Sequence, residues 1–209
     1  MNQHNPTIFD NNAADYDNWF NRHSALFQNE LKALRLAIPK EGIGVEIGVG
    51  TGRFAEILKI SIGVEPAHTM AQMAIARGIA VIKATAEALP FHGESFDYAV
   101  MITTDCFLDN VSKAFAEVHR IIKKNGFFII GMIDKESETG KQYEAKKAIS
   151  PWYKEAHFHT VPEITGIMQQ AGFISFEYWQ TLFNSKEELT EPLPGFGKGS
   201  FVVIRSKKI

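Results

Sequence analysis

The amino-acid sequence predicts an α/β protein in which helices cover both faces of a mostly parallel, doubly wound sheet. Short apolar runs alternate along the chain with stretches of helical periodicity, which is the pattern of β-α-β units. Some of these runs, such as residues 127–133, are almost entirely apolar, as strands that are buried on both faces are. The length of 209 residues suits one such domain.

The individual elements follow in order along the chain. A helix is predicted over residues 13–38, where Pro39 ends it. Two more helices are predicted over residues 53–59 and 67–77. The next has its apolar face from Val111 to Ile122 and is closed by Asn125-Gly126. Residues 134–147 are highly charged and predict a solvated helix or loop. The last helix starts at a capping box formed by Thr160 and Glu163 and ends at Gly172.

Seven strands are predicted between these helices. They cover residues 43–47, 60–65, 81–84, 96–103, 127–133, 173–182 and 201–205. The last two are joined by a segment rich in proline and glycine, residues 191–199, and not by a helix. Because parallel neighbours need a long crossover, these two strands are expected to run antiparallel.

Composition excludes several classes of protein. The chain has 22 Lys and Arg against 24 Asp and Glu, so an extended phosphate-binding surface is not expected and nucleic acid is not a predicted partner. Cys106 is the single cysteine, which rules out an intramolecular disulfide and fits a reducing compartment. No apolar run has the length of a membrane span, and residues 1–12 do not read as a signal peptide. The predicted location is the cytoplasm.

A glycine-rich turn, Gly48-Val49-Gly50-Thr51-Gly52, joins the first predicted strand to the next helix. Open α/β sheets bind ligands at the carboxyl ends of their strands, and glycines allow a ligand to approach the backbone closely. By its spacing alone, the turn is equally consistent with a tight strand-to-helix connection that binds nothing.

Glu65 strengthens the prediction of a ligand site. It ends the second strand, where an acidic side chain can accept hydrogen bonds from both hydroxyls of a ribose. The alternative is that Glu65 only caps the helix that begins near Ala67. The turn and the acid together favour a cofactor that contains adenosine.

Two residues distinguish between such cofactors. A dinucleotide fingerprint would place its third glycine at position 53, where this chain has Arg53. Glu46 lies in the first strand, two residues before the turn, and its carboxylate would repel a pyrophosphate but attract a cationic sulfonium and ammonium. The sequence therefore favours S-adenosylmethionine over NAD.

These motifs resemble, in their order, those of the class I S-adenosylmethionine-dependent methyltransferases. Within that class the chain is most similar to the type 11 group, which includes ubiquinone/menaquinone methyltransferase-like enzymes. The resemblance runs from about Phe9 to Ile133, and its motifs are residues 16–19, 45–52, 63–66, 83–91, 95–98 and 124–126. Two positions depart from the family pattern: Thr85 replaces a frequent aspartate, and Asn125 replaces the first residue of a Gly-Gly pair.

The resemblance implies a Rossmann-like, doubly wound, mostly parallel seven-stranded sheet whose last strand is inserted antiparallel. It implies a single methyltransferase domain with an N-terminal helical cover (1–39), a cofactor-binding core (40–133) and an acceptor-side region that includes the last two strands (134–209). The residues expected to hold the cofactor are Tyr16, Glu46, Gly48, Gly50, Gly52, Glu65, Pro66, Ala86, Glu87 and Thr103.

Methyl transfer from a sulfonium needs positioning and a dry cavity, and it needs a general base only if the acceptor starts protonated. No compact catalytic triad is therefore expected. Asp105 is one candidate, since it follows the fourth strand, although residues 103–105 equally fit a turn with a helix cap. His157 and His159 stand at alternate positions and could share one strand face as a base or as metal ligands.

The more favoured interpretation of residues 151–159 is aromatic packing with surface histidines. In the alternative interpretation, Trp152 and Tyr153 wall an acceptor pocket. No metal is expected, because no further cluster of cysteine or histidine lies nearby in the sequence. Cys106 is interpreted as a small buried apolar residue and not as a nucleophile.

The predicted function is methyl transfer from S-adenosylmethionine to a small-molecule acceptor, with an amine, a hydroxyl or a ring carbon as the acceptor group. Two alternatives stay open at the level of sequence. One is an NAD(P)-binding oxidoreductase, and the other is a non-catalytic methyltransferase-like module that binds the cofactor or a partner.

Overall fold

The computed structural model describes residues 7–184 and 186–209, so the first six residues of the N-terminal stretch discussed above lie outside it. The described chain contains one eight-stranded sheet. Its strands are β1 (Gly44–Ile47), β2 (Ile62–Val64), β3 (Ala80–Ile82), β4 (Phe96–Ile102), β5 (Ile122–Ile133), β6 (Phe173–Thr181), β7 (Leu193–Pro194) and β8 (Phe201–Lys208). Its α-helices are α1 (Thr7–Arg22), α2 (Ser24–Ala37), α3 (Arg53–Leu58), α4 (His68–Ala76), α5 (Val111–Ile121), α6 (Glu138–Lys146) and α7 (Val161–Gln170).

The strand order is β3-β2-β1-β4-β5-β8-β6-β7. Strands β1 to β5 pair in parallel, and β8 is inserted between β5 and β6 and is antiparallel to both. The predicted mostly parallel sheet with its inserted last strand is therefore confirmed. The eighth strand, β7, was not predicted; it is two residues long and pairs with the outer edge of β6. Its proline and glycine neighbours give no strand signal.

The prediction of one helix over residues 13–38 was wrong. The helical segment begins earlier, at Thr7, and it breaks into α1 and α2 at His23, whose backbone leaves the helical region (φ −116°, ψ 47°). The two helices pack on different partners: α1 lies against α4, whereas α2 lies against β6 and β8. The apolar periodicity continues across the break, so the sequence pattern does not reveal the change in direction.

The end of α5 also differs from its prediction. The helix ends at Ile121, and extended backbone begins at once with Ile122. The pairing of β4 with β5 jumps from Phe96 opposite Ile122 to Tyr98 opposite Phe127, and Asn125 lies inside this irregularity with φ +66°. The Asn-Gly pair that was expected to close the helix therefore forms a bulge at the start of the strand.

The sheet separates two apolar cores. One contains Phe115 and Met168 from α5 and α7, and the other contains Leu31 and Phe54 from α2 and α3. Neighbouring residues of a strand point to opposite faces, so Val45 and Ile47 of β1 enter the first core while the side chain between them faces α1 and α2. That intervening residue is Glu46, which places a carboxylate beneath the N-terminal helices.

Candidate cofactor and acceptor site

A cavity of 1010 Å³ lies over the carboxyl ends of the parallel strands. Its wall includes Gly48 after β1, Glu65 after β2, Thr103 after β4 and Ile133 at the end of β5. Ligand pockets in proteins are typically about 300–1,000 Å³, so this one has room for a cofactor together with a second small molecule.

The three glycines of the turn have positive φ angles, and they face different surroundings. A Cβ on Gly50 would make ordinary contacts with Met70 and Tyr16, at 3.7 Å and 3.8 Å, and Gly50 lines the cavity. A Cβ on Gly52 would lie 2.6 Å from the side chain of Ile79, because this glycine packs behind the turn. Gly48 and Gly50 thus form part of the cavity wall, while Gly52 allows α3 to pack closely.

Glu65 joins the glycine turn to the next helix. One of its carboxylate oxygens accepts a hydrogen bond from the Gly50 N–H and the other from the Ala67 N–H, each at 2.9 Å. Burial raises the pKa of Glu65, although these two hydrogen bonds act in the opposite direction. Glu65 therefore holds the start of α4 and also lines the cavity, where binding of a ribose remains a prediction. Each oxygen has a second lone pair with which to accept from a ligand hydroxyl.

Glu46 lies behind the wall of the cavity. Its side chain is buried, and its Oε2 has no hydrogen-bond partner within the part of the chain that the structure describes. Burial and the nearby charge of Glu65 raise the pKa of Glu46 well above its usual value. A buried carboxyl oxygen without a partner is costly, and a ligand that donates a hydrogen bond or brings a positive charge would offset that cost.

The other residues predicted to hold the cofactor are brought together around the same cavity. Tyr16 lies on α1, and its pKa is raised by burial and by the charges of Glu46 and Glu65. Thr103 has φ +48° at the end of β4, a strained angle for a β-branched residue, and its N–H donates to the carbonyl of Gly131. Also in the wall are Pro66, Ala86 and Glu87, together with Thr85, which departs from the family pattern.

Arg53 was read only as the residue that interrupts a dinucleotide fingerprint, and the structure gives it a role in fastening the cover. Its guanidinium donates to both carboxylate oxygens of Asp17 on α1, and Arg77 of the segment after α4 binds the same carboxylate at 2.9 Å. Burial alone would raise the pKa of Asp17, but the two arginines outweigh it and hold this pKa below its usual value. The network joins α1 to the core next to the glycine turn.

Asp17→Asn is expected to lower the free energy of unfolding by about 2 kcal/mol, because it leaves two largely buried arginines without their shared anion. Asp15→Asn is the matched control: Asp15 forms an ion pair with Arg22 on the same helix, but both side chains are more than half exposed. That control should cost less than about 0.5 kcal/mol. Urea unfolding of both variants measures the difference, and equal losses would contradict the role of the buried network.

Aromatic contacts close the cavity from above. The ring of Phe9 on α1 lies 5.0 Å from Phe107 and 6.0 Å from Trp152, and Tyr16 is also 6.0 Å from Trp152. These centroid distances join α1 to residues on the far side of the cavity. Trp152 and Tyr153 both line it, as the wall interpretation of residues 151–159 expects.

The structure brings two of the three candidates for catalysis together, Asp105 and His159, and leaves His157 apart. Asp105 is buried and lines the cavity, and its Oδ2 lies 3.4 Å from Nδ1 of His159. His159 is outside the cavity wall, and His157 is exposed to solvent. The predicted shared strand face is wrong, because residues 156–160 form no strand and the two rings have different surroundings. No group of three or more His, Cys, Asp or Glu in the described chain could hold a metal ion.

Cys106 behaves as the sequence analysis expects of a buried residue. Burial and the charge of Asp105 raise the pKa of its thiol well above the usual range. The thiolate is therefore strongly disfavoured at neutral pH, and nucleophilic attack by this sulfur is not expected.

Glu30 is a candidate that the sequence analysis missed. It lies on α2, is 5% exposed and lines the cavity. Burial raises its pKa to about 8. A signal for it exists in the sequence, because Phe27, Glu30 and Leu34 have helical spacing, which places a charged residue on the apolar face of a helix. An ionisable residue on the apolar face of a helix lowers the stability of the fold, so its presence there indicates a functional role.

Beyond Glu30, the cavity is lined by an aromatic group that we call the acceptor chamber, formed by Tyr143, Trp152, Tyr153 and Phe158. The rings of Tyr143 and Tyr153 stack with centroids 4.5 Å apart, and Phe158 lies 5.5 Å from Tyr153. Tyr143 belongs to α6, in the charged stretch where only a solvated helix or loop was predicted. Its inward orientation follows from how α6 packs and not from the periodicity of the sequence.

A glycine turn at the end of the first strand, an acid at the end of the second and a large cavity above them define a class I methyltransferase site. Comparison with known proteins agrees with this class. A family model described as a methyltransferase domain, type 11, matches residues 45–130. A solved structure from Thermotoga maritima, described as a SAM-dependent methyltransferase and possible histamine N-methyltransferase, is 47% identical. It superposes with a TM-score of 0.94, over 97% of this chain and 99% of that one.

Two curated relatives extend the comparison. An uncharacterized protein of Methanocaldococcus jannaschii is 42% identical over 97% of this chain and 99% of its own length. A malonyl-[acyl-carrier protein] O-methyltransferase of Geobacter sulfurreducens is 28% identical over 81% of this chain and 69% of its own. The chain belongs to the type 11 family of class I S-adenosylmethionine-dependent methyltransferases, and its cofactor is S-adenosylmethionine. This membership decides against the NAD(P)-binding alternative. None of the described helices is long and apolar enough to cross a membrane.

Proposed function

We propose that this enzyme transfers a methyl group from S-adenosylmethionine to a small-molecule acceptor that binds in the acceptor chamber. The observation that carries this proposal is the cavity of 1010 Å³, which extends from the glycine turn to the chamber under one aromatic roof. A site closed above by α1 and Trp152 suits an acceptor that is enclosed whole. A large polymeric acceptor would have to remove that roof.

Under this proposal, the cofactor is held by the predicted residues of the wall, which are Tyr16, Gly48, Gly50, Glu65, Pro66, Ala86, Glu87 and Thr103. Glu46 and Gly52 support that wall from behind. Two features fit a cationic cofactor of this size: the cavity wall formed at Gly50, which has no side chain, and the unpartnered oxygen of Glu46 among the described residues. The cofactor supplies an electrophilic methyl group when bound, and the protein contributes orientation and the exclusion of water.

Two kinds of acceptor deserve the first tests. The Thermotoga maritima protein is described as a possible histamine N-methyltransferase, and the Geobacter sulfurreducens relative as an O-methyltransferase of a carrier-bound malonyl group. These descriptions belong to those proteins. For this chain, they support the inclusion of both amines and oxygen nucleophiles in an acceptor panel, and the enclosed chamber favours the small free molecules among them.

Calorimetric titration of the purified chain with S-adenosylhomocysteine tests the first half of the proposal, and binding in the micromolar range is expected. Radiolabelled methyl transfer to a panel of small amines, including histamine, and of alcohols, phenols and carboxylic acids tests the second half. Absence of binding to folded protein would overturn the proposal. Binding without transfer to any member of the panel would instead favour the non-catalytic module.

A further inference from the structure

We propose that the acceptor is an amine and that Glu30 binds its nitrogen within the acceptor chamber. The inference rests on the proposed function and adds the chemical class of the substrate. It stands on three observations: where Glu30 lies in the cavity, what surrounds it, and the balance of charge along the cavity wall.

Glu30 lines the cavity from α2, a helix that packs against β5, β6 and β8 and also against α1 and α3. Its carboxyl lies close enough to Tyr16, a predicted cofactor residue, and to Tyr143 of the acceptor chamber to raise the pKa of both. Ile133, at the end of β5, also lines the cavity. A ligand that contacts Glu30 is therefore expected to lie beside the cofactor in the acceptor chamber.

The surroundings of Glu30 are aromatic and contain no described counter-charge. Its carboxylate acts on the pKa of Tyr16 from one side and of Tyr143 from the other, raising both. Within the described chain, Glu30 forms no ion pair and no hydrogen bond with a basic side chain. Aromatic faces attract cations, and a buried carboxylate without a partner is stabilised by one, so both features favour the same ligand.

The distribution of charge along the wall agrees with a cationic ligand. Glu30, Glu65 and Asp105 are buried acids that line the cavity. The basic residues of the wall are Arg22 and Lys113, both of which are exposed to solvent, and Arg22 is paired with Asp15. A carboxylate or phosphate acceptor would therefore meet repulsion in the interior, while an alcohol would give the ionised form of Glu30 no counter-charge.

Methyl transfer to an amine requires the loss of one proton from its nitrogen, and Glu30 can accept that proton. An amine reaches the site as an ammonium ion, and its proton passes to the Glu30 carboxylate, which frees the nitrogen lone pair. The nitrogen then forms a bond to the methyl carbon as the carbon–sulfur bond breaks, and the sulfur keeps that electron pair. The product is a methylammonium ion, and the proton on Glu30 returns to water. Because burial raises the pKa of Glu30 to about 8, the ligand-free carboxyl is mostly protonated at neutral pH and first releases its proton to water as the ammonium ion binds. The charge of the bound ammonium ion favours the carboxylate, which then accepts the proton of the amine.

The test compares matched amines and alcohols on protein saturated with S-adenosylhomocysteine. Calorimetry with benzylamine and 2-phenylethylamine, and with benzyl alcohol and 2-phenylethanol, should show that each amine binds more tightly than its alcohol. Glu30→Gln keeps the shape of the side chain but removes its charge. It should weaken amine binding by about 10- to 100-fold and change alcohol binding by less than about twofold. Glu41→Gln, at an exposed position, is the matched control and should change neither.

Three binding results would each overturn the inference: neither amine binds, the alcohols bind as tightly as the amines, or Glu30→Gln weakens the binding of S-adenosylhomocysteine as much as it weakens that of the amines. The last result would place Glu30 in the cofactor site. Thermal unfolding of the variant with and without S-adenosylhomocysteine verifies that it folds. If wild-type protein binds S-adenosylhomocysteine but methylates only oxygen acceptors, the proposed function stands. The inference that the acceptor is an amine would then be refuted. Absence of S-adenosylhomocysteine binding would refute the proposed function itself.

Discussion

Glu65→Ala is expected to weaken the binding of S-adenosylhomocysteine by about 10- to 100-fold, which corresponds to the loss of one or two hydrogen bonds to a charged group. Two effects combine in this variant. The carboxylate is predicted to accept from the ribose, and it also holds the N–H groups of Gly50 and Ala67, each at 2.9 Å. Removal of the carboxylate therefore eliminates the hydrogen bonds that hold the glycine turn and the start of α4, and it also eliminates the predicted contact with the ligand.

Calorimetry measures this loss, and Glu41→Ala serves as its control because Glu41 is exposed and lies outside the cavity wall. Removal of the cap from α4 should also lower the free energy of unfolding by about 1 kcal/mol. A variant that lost this stability but bound S-adenosylhomocysteine with unchanged affinity would show that Glu65 only caps the helix. The assignment of the ribose site to Glu65 would then be wrong.

Glu30→Gln is expected to stabilise the ligand-free protein at alkaline pH and to leave its stability nearly unchanged at acid pH. The pKa of Glu30 is raised from 4.5 to about 8 in the folded protein. Between these two values, the Glu30 carboxyl is ionised in the unfolded chain but protonated in the folded protein. The free energy of unfolding of the wild type therefore falls as pH rises from 4.5 to 8. Glutamine does not titrate, so the gain should approach a plateau above pH 8, on the order of 4 kcal/mol.

Thermal or urea unfolding at pH 5 and at pH 8.5 measures this difference, with Glu41→Gln as the exposed control. The groups whose pKa values respond to Glu30 are Tyr16 and Tyr143, and both phenols stay protonated throughout this range because their own pKa values are raised. A stabilisation of equal size at both pH values would contradict the prediction, since it would show that the Glu30 carboxyl does not titrate between them.

Much of the cofactor side of the protein could be predicted from the sequence. The strand, the glycine turn and the helix that follows are adjacent in the chain, so their arrangement is encoded within a few residues. The same holds for Glu65, which ends one strand and starts one helix, and for the capping box of Thr160, which forms as expected. Local spacing of this kind is sufficient because the geometry of a strand-turn-helix unit depends little on distant contacts.

The partners of other residues could not be predicted from local sequence spacing. Arg53 was interpreted only as the residue that interrupts a dinucleotide fingerprint, yet its guanidinium pairs with Asp17 on α1. His157 and His159 looked like a matched pair, yet the chain between them is not a strand. In each case the residue type was informative about chemistry, but the partner was set by how two separate segments pack.

The sequence by itself determined the fold class and the cofactor, because these depend on hydrophobic periodicity and on one contiguous motif. Only the tertiary structure decided which distant residues share the cavity with the glycine turn. Glu30, Tyr143 and Trp152 come from three segments far apart in the chain, and they converge because α1, α2 and α6 close over the same edge of the sheet. Long-range packing depends on the complementarity of whole surfaces, which no spacing along the chain records.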